Sequence, residues 1–494
     1  MGFHRFLHLS STKPTDPSVS STHLCPRRIS AHAGWALACV LLCGVIAHAE
    51  AQEAGDSSAT QKESASFRPD LPTFMEHKPR IPDLLLNSKK EGSYFTGIPL
   101  IGVDPNSGFN YGAIVEWYDN GPKDSPFFTN VPYRKKLTAT VNLSTHGYTE
   151  YSLKYDQPYI ADSPWRIRGF AGYIDSKFED YFGIGTSTLN PLSYPGQPGV
   201  SFTNFNEYQR ALDNTTNGKT WSYFNYYGKT QWLATGDVER DFFGGLVRAI
   251  AGFQVDYVMI HDYTGNGVDG AEQLPTRLRL DQQAGTINGF NGGWLNLLRI
   301  GLAYDSRDYE PDPHSGMLLT GLMEGSAKPF GSSSNFGQFT AGWRGYTRLF
   351  PNVARLVLVG TADYSVLFAG YPFYVAPSMS LPGDERLEGL GGWRNLRGFY
   401  ANRFTGNVKM HAGAELRWTF ADFTLWNQNF KPMLAPFLDT GRVFNAANTF
   451  TFRDWKPTGG VGLRLAWNLA TIISLDVGIS GESALVYFGL GTAF

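Results

Sequence analysis

The sequence predicts an all-β protein whose sixteen antiparallel strands close into a barrel across a membrane. Three observations carry this. Past Lys90 the chain repeatedly alternates apolar residues with polar or small ones, as in 136–145, 461–469 and 471–480. In the last of these, Ile473, Leu475, Val477 and Ile479 face one way and Ser474, Asp476, Gly478 and Ser480 the other. A pleated strand between two unlike surroundings needs that period of two. The segments run to about ten residues, the length of a tilted membrane strand, whereas soluble strands average about five or six. Aromatic residues gather at segment ends (Trp117, Tyr118, Trp418, Phe420, Tyr487, Phe488), as the interfacial girdles of a membrane barrel require.

Composition agrees with a wall rather than a set of soluble domains. Of 494 residues, 17% are charged and 15% aromatic, with 55 glycines; soluble domains carry about 25% charge. Length alone suggests about three domains of ~150 residues, but alternation over some 400 positions makes one continuous sheet. A net charge of −2 offers no footprint for nucleic acid. The three cysteines, Cys25, Cys39 and Cys43, all lie in the first fifty residues, which excludes a disulfide scaffold or cysteine metal site further on.

In chain order, residues 1–49 read as a secretory signal. An apolar run of fifteen, 33–47, follows Arg27 and Arg28 and ends at Ala47-His48-Ala49, too short for a membrane span and suited to cleavage. Residues 50–90, with Pro69, Pro72, Pro79 and Pro82, read as an extended periplasmic tether without a core. Its triplet Leu84, Leu85 and Leu86 could dock on a partner or into a lumen, or be no more than an apolar patch of linker. Residues 91–494 form the barrel. The strands are expected at 94–104, 108–119, 135–146, 148–159, 165–176, 223–239, 246–260, 296–308, 316–326, 336–350, 355–370, 405–420, 432–444, 457–468, 471–481 and 485–494. An even count suits a bacterial barrel. With a periplasmic tether, connections after even strands (such as 160–164, 240–245 and 351–354) are short and periplasmic. The long connections, 177–222, 261–295 and 371–404, then face outward, which places the protein in the bacterial outer membrane.

The segments with individual character come late. Leu396-Arg397-Gly398-Phe399 stands in the connection between strands eleven and twelve. Phe437 to Gly441 (Phe-Leu-Asp-Thr-Gly) lies in strand thirteen, Gly460 to Arg464 with Gly462 in strand fourteen, and Ala414-Glu415-Leu416-Arg417 in strand twelve. Asp305, Arg307 and Asp308 precede Pro313 and Gly316 after strand eight, and the chain ends on Phe494. In these residues the sequence resembles the BamA/TamA-type outer-membrane barrel superfamily, also called the bacterial surface antigen family. The resemblance covers about 90–494. It implies that the sixth extracellular loop folds into the lumen with Arg397 at its tip, and that Phe494 closes the signal read by the barrel-assembly machinery. Some forty residues between signal and strand one leave no room for a periplasmic POTRA domain, so the chain resembles members lacking them.

Alternation turns Glu415 inward on strand twelve, and Asp439 occupies strand thirteen, so both could flank Arg397. A guanidinium with five donors can serve two carboxylates together. Pro99 in strand one and Gly489 and Gly491 in strand sixteen either weaken the two strands that must close the barrel, as the lateral gate implied by the resemblance needs, or Pro99 simply ends strand one early and the two glycines make room inside the lumen. His411 shares the inward face with Glu415, yet the pair makes no expected metal site. No cofactor, metal, catalytic residue or nucleic-acid partner is expected, and no Gly-x-Ser-x-Gly elbow occurs. The expected partners are outer-membrane lipid, lipopolysaccharide, the assembly machinery and an unidentified client. The resemblance implies an insertase or translocase for protein or lipid; a passive porin and a surface-interaction protein stay open as alternatives.

Overall fold

A computed structural model describes residues 71–81, 86, 89–310, 312–350, 355–368, 370–379, 381, 389–425, 428–467 and 471–491. The signal reading with its three cysteines, Leu84, Leu85 and Phe494 fall outside the described residues. Sixteen long strands form the wall: β1 (Ser93–Asp104), β2 (Gly108–Asp119), β3 (Lys135–Ser144), β4 (Tyr148–Gln157), β5 (Trp165–Asp180), β6 (Tyr226–Phe242), β7 (Val247–Asp262) and β8 (Leu297–Asp305). They continue as β9 (Gly316–Ser326), β10 (Phe336–Leu349), β11 (Leu356–Leu367), β12 (Val408–Thr419), β13 (Gln428–Phe444), β14 (Lys456–Trp467), β15 (Thr471–Ile479) and β16 (Ala484–Leu490). Each pairs antiparallel with the next, and β1 meets β16 through Val103 opposite Phe488. The ring is therefore closed.

The alternation places charge inside and hydrocarbon outside. On β8, Ile300 is 63% exposed while its neighbour Arg299 is 4% exposed. Arg299 lies opposite Glu324 on β9 and pairs with it at 3.2 Å. A soluble protein would invert these two exposures, because exposed apolar patches of this extent are rare in water. Exposed aromatics mark both rims, with Phe95, Phe243, Phe350 and Phe420 at one end and Phe330 and Phe452 at the other. Strand ends differ from the sequence expectation by a few residues. Among the largest shifts are those in β5, which runs on to Asp180, and in β13, which begins at Gln428 because Phe430 and Lys431 continue its ladder with β14.

Two of the long outward loops pack against each other. The 181–225 connection contains a helix, α1 (Phe205–Leu212), which Asn204 caps by accepting from the Asn206 and Glu207 amides. Phe205 and Tyr208 are buried, and Phe205 lies 3.9 Å, centroid to centroid, from Tyr400 of the sixth extracellular loop, 368–407. The aromatic residues of 204–208, on a long outward connection, are thus used within the molecule.

The described part of the tether, 71–81, lies against the opposite rim. Met75 is fully buried with Phe127, Val131 and Tyr159. Leu86 packs with Ile81 and Tyr309. Lys89 donates its Nζ to the Phe128 and Val131 carbonyls at 2.6 and 2.7 Å. Desolvation there pulls its ammonium down to about 8, against about 10.4 for a free lysine. The docked form therefore holds its proton less tightly than the released form. Its contribution to docking is complete above about pH 10.4 and is lost as pH falls through about 8. Opening of 126–131, read by hydrogen exchange, is expected to fall roughly tenfold between pH 7 and 9 beyond the intrinsic exchange correction. Lys89→Met should abolish that dependence.

Candidate functional site

The sixth extracellular loop enters the lumen and places Arg397 out of solvent contact, against the inner faces of β12, β13 and β15. Its Nε and Nη2 donate to the two Asp439 oxygens at 2.9 and 3.1 Å, and Nη1 donates to Glu415 Oε2 at 2.9 Å. The guanidinium also stacks 3.4 Å above the centroid of Phe437, a cation–π contact that desolvation strengthens. Arg464 of β14 joins Glu415 at 3.0 Å and Asp476 of β15 at 2.7 Å, and Arg417 donates to Glu415 at 2.9 Å. Asp476 stands 3.7 Å from Arg397 and accepts from the Trp393 indole at 2.7 Å. Arg397, Arg417 and Arg464 thus face Glu415, Asp439 and Asp476, so charge balances within a buried cluster. Ion pairs so removed from water hold only with good geometry and hydrogen bonds to the charged atoms, and each of the three carboxylates here accepts at least one bond from a guanidinium.

Close backbone contact makes the insertion possible. Gly398 has φ +104°, and a Cβ there would lie 2.9 Å from the Ile479 backbone. A residue with a side chain strains at that angle. The tip then bonds to the last two strands and the turn joining them. The Gly398 amide donates to the Tyr487 hydroxyl at 3.1 Å, while Ser480 and Ser483 donate to its carbonyl, each at 2.7 Å. Leu396 and Phe399 are buried with Leu189, Leu390, Phe404 and Val443, and Leu390 closes over Gly441. A second clamp lies toward the outer mouth. Arg403 pairs through Nε and Nη2 with Glu482 at 2.7 and 2.8 Å and donates to the Thr188 carbonyl at 2.6 Å. It joins the sixth loop to the 181–225 loop and the β15–β16 turn.

The other sequence candidates sit in several places. Gly462 packs beside Arg464 and Asp476 of the cluster. Arg307 chelates Asp305 at 2.8 and 2.9 Å, and Asp308 accepts three amides, those of Tyr309, His314 and Ser315, which fixes the β8–β9 turn. His411 turns to Asp363 of β11 at 3.0 Å rather than to Glu415. Pro99 lies within β1, opposite Ala113 of β2, and Gly489 lies in β16 opposite Ser474. Gly491 does not belong to strand sixteen, which ends at Leu490; with φ +98° it leaves the ladder while its amide still bonds Ile472. Sequence reasoning missed Asp476, Trp393, Tyr487 and the Arg403–Glu482 clamp. Asp476 alone carried a signal, as the one carboxylate on the polar face of its strand.

This geometry positions a loop. Residues 135–494 match the Omp85 superfamily domain, and residues 71–134 match a domain of unknown function, DUF5982. The latter includes β1 and β2, which nonetheless share one ladder with the rest of the wall. No curated protein matches the chain. Among solved structures, BamA from Haemophilus ducreyi lacking POTRA domains 1–3 is 15% identical, with TM-score 0.46, over 82% of this chain and 70% of that one. CdiB from Escherichia coli is 13% identical, with TM-score 0.46, over 81% and 62%, so this chain spans less than two thirds of its length. The match of its family over most of its length, on a closed sixteen-stranded barrel, makes this chain a member of the Omp85 superfamily of the bacterial outer membrane.

Proposed function

We propose that the barrel moves a polypeptide or a lipid across or into the outer membrane, through its lumen and the seam between β1 and β16, without catalytic chemistry of its own. One observation carries this reading. The buried Arg397 cluster and the tip bonds to Tyr487 hold the loop against β12–β16, while the far edge of β16 meets β1 through one ladder pair among the described residues. The neighbouring ladders are far longer, with twelve pairs between β1 and β2 and seven between β15 and β16. A ladder so short costs little to part, and Pro99 and Gly489 weaken its strands further. A passive porin fits less well, because the sixth loop fills the lumen beside β12–β16 and the outward loops pack over the mouth. Partners in this reading are lipid, lipopolysaccharide, the assembly machinery that receives β16, and a client carried through.

Photo-crosslinkers at Ile101 and Val486, on the two seam strands, test this in cells. Capture of a protein or lipid that falls when Arg397 is replaced is the expected result. No capture, together with a steady conductance indifferent to Arg397→Ala, would replace the reading with a porin.

A further inference from the structure

Residues 71–81 do not hang free beneath the barrel. They run along four of its inner-rim connections, β2–β3, β4–β5, β6–β7 and β8–β9. Met75 fills a pocket made by Phe127, Val131 and Tyr159, with Phe74 stacked on Tyr159 at 5.7 Å. The His77 amide donates to the Gly244 carbonyl at 3.0 Å, and the Ile81 amide to the Thr129 carbonyl at 2.8 Å. Asn130 donates to the Lys78 carbonyl at 3.2 Å, and Ile81 ends the run on Tyr309. The receiving turn is shaped for this segment: a Cβ on Gly244 would sit 2.5 Å from the His77 ring and 2.6 Å from Glu76 Cγ.

The segment also roofs a cavity. About 550 Å³ lies between it and the lumen, bounded by His77, Lys78 and Ile81 on one side and by Arg166, Arg248 and Arg307 on the other. The arginines are engaged with the wall, Arg166 with Asp156 and Arg248 with Asp241. None of the backbone bonds of 71–81 belongs to the barrel ladder. A short segment held to the rim by apolar plugs and by bonds to turns, and outside the ladder, can detach while the sixteen-strand sheet stays intact, since local stability follows local contacts.

We propose that residues 71–81 are a resident lid on the periplasmic mouth, closed in this structure, which must lift before the lumen communicates with the periplasm. The lid and its main receiver, 126–131, lie in the same matched unit, 71–134, so the two travel together in sequence. The inference goes beyond the transport reading, because it holds whether the client is protein or lipid.

The test uses the full-length protein in nanodiscs with Cys25, Cys39 and Cys43 replaced by alanine. Leu246→Cys, which borders the roofed cavity, reports access to a sulfonated maleimide. Asp162→Cys, exposed on the same rim, reports unhindered reactivity. With a lid, Cys at 246 reacts at least tenfold more slowly than Cys at 162, and Met75→Asp removes most of the difference. Joining Met75→Cys to Val131→Cys by a disulfide slows it further, and reduction reverses that slowing. Equal labelling at 246 and 162 in the parent, or labelling at 246 indifferent to the disulfide, would overturn the lid. The disulfide arm decides the matter if Met75→Asp fails to fold. Neither readout depends on client transport, so a failed lid and a failed transport reading are distinguishable.

Discussion

Replacing Arg397 with alanine is expected to release the sixth extracellular loop from the lumen while the sixteen strands stay paired. The substitution leaves Glu415, Asp439 and Asp476 buried against only Arg417 and Arg464. Removing one partner of a buried ion pair costs about 3–5 kcal/mol. A tenfold change corresponds to about 1.4 kcal/mol, so the released population should rise roughly a hundredfold or more. The bonds lost are those of Arg397, whereas the contacts of Arg403 with Glu482 remain, so release begins at the tip. Protease nicking within 389–407 should accelerate by that order, and the heat needed to unfold the barrel on a gel should fall. Arg397→Lys should recover little, because one ammonium cannot hold the Asp439 and Glu415 oxygens in the geometry of a planar fork. Nicking at the parental rate in Arg397→Ala would show that the loop is held by other contacts.

Gly398→Ala should give the same loop release with every charge in place. At φ +104° an alanine is strained by about 1–3 kcal/mol, and its Cβ would stand 2.9 Å from the Ile479 backbone and 3.0 Å from that of Gly478. Backbone atoms of a paired strand cannot yield as a flexible side chain does, so the tip must withdraw. Withdrawal pulls Arg397 off Asp439 and breaks the bonds to Tyr487, Ser480 and Ser483. Because both substitutions release one loop, their combination should cost clearly less than the sum of the two, the mark of residues acting in a shared unit. Additive effects in protease rate would place Gly398 and Arg397 in separate functions.

The wall was legible because strand and environment are local. Ile300 beside Arg299, or Leu475 beside Asp476, records which face meets lipid and which meets the lumen. The position of the Arg397 tip could also be read, together with the strands that bear Glu415 and Asp439. Asp476 escaped notice as a partner, since its strand shows the same alternation whether or not a loop arrives beside it. Arg403 and Glu482 lie 79 positions apart, and neither stands out in composition. The packing of Phe205 on Tyr400 could not be read from the sequence, because an aromatic loop reads the same whether its cover is another protein or its own neighbour. The tether read as extended for a similar reason: Met75 gives no sign, alone, of the pocket made by Phe127, Val131 and Tyr159.

By itself the sequence determined that the chain makes a closed sixteen-stranded membrane wall, because a period of two and a change of solvent across the strand are written into each short segment. It also determined which loop carries the arginine. Only the tertiary structure decided that Asp476 and Arg464 complete the charge cluster, that Gly398 rests on β15, that the outer loops pack over the mouth, and that 71–81 lies across the inner rim. Those contacts depend on the paths of connections between strands and on the ladder register that brings distant side chains level, and neither is encoded in any local stretch of residues.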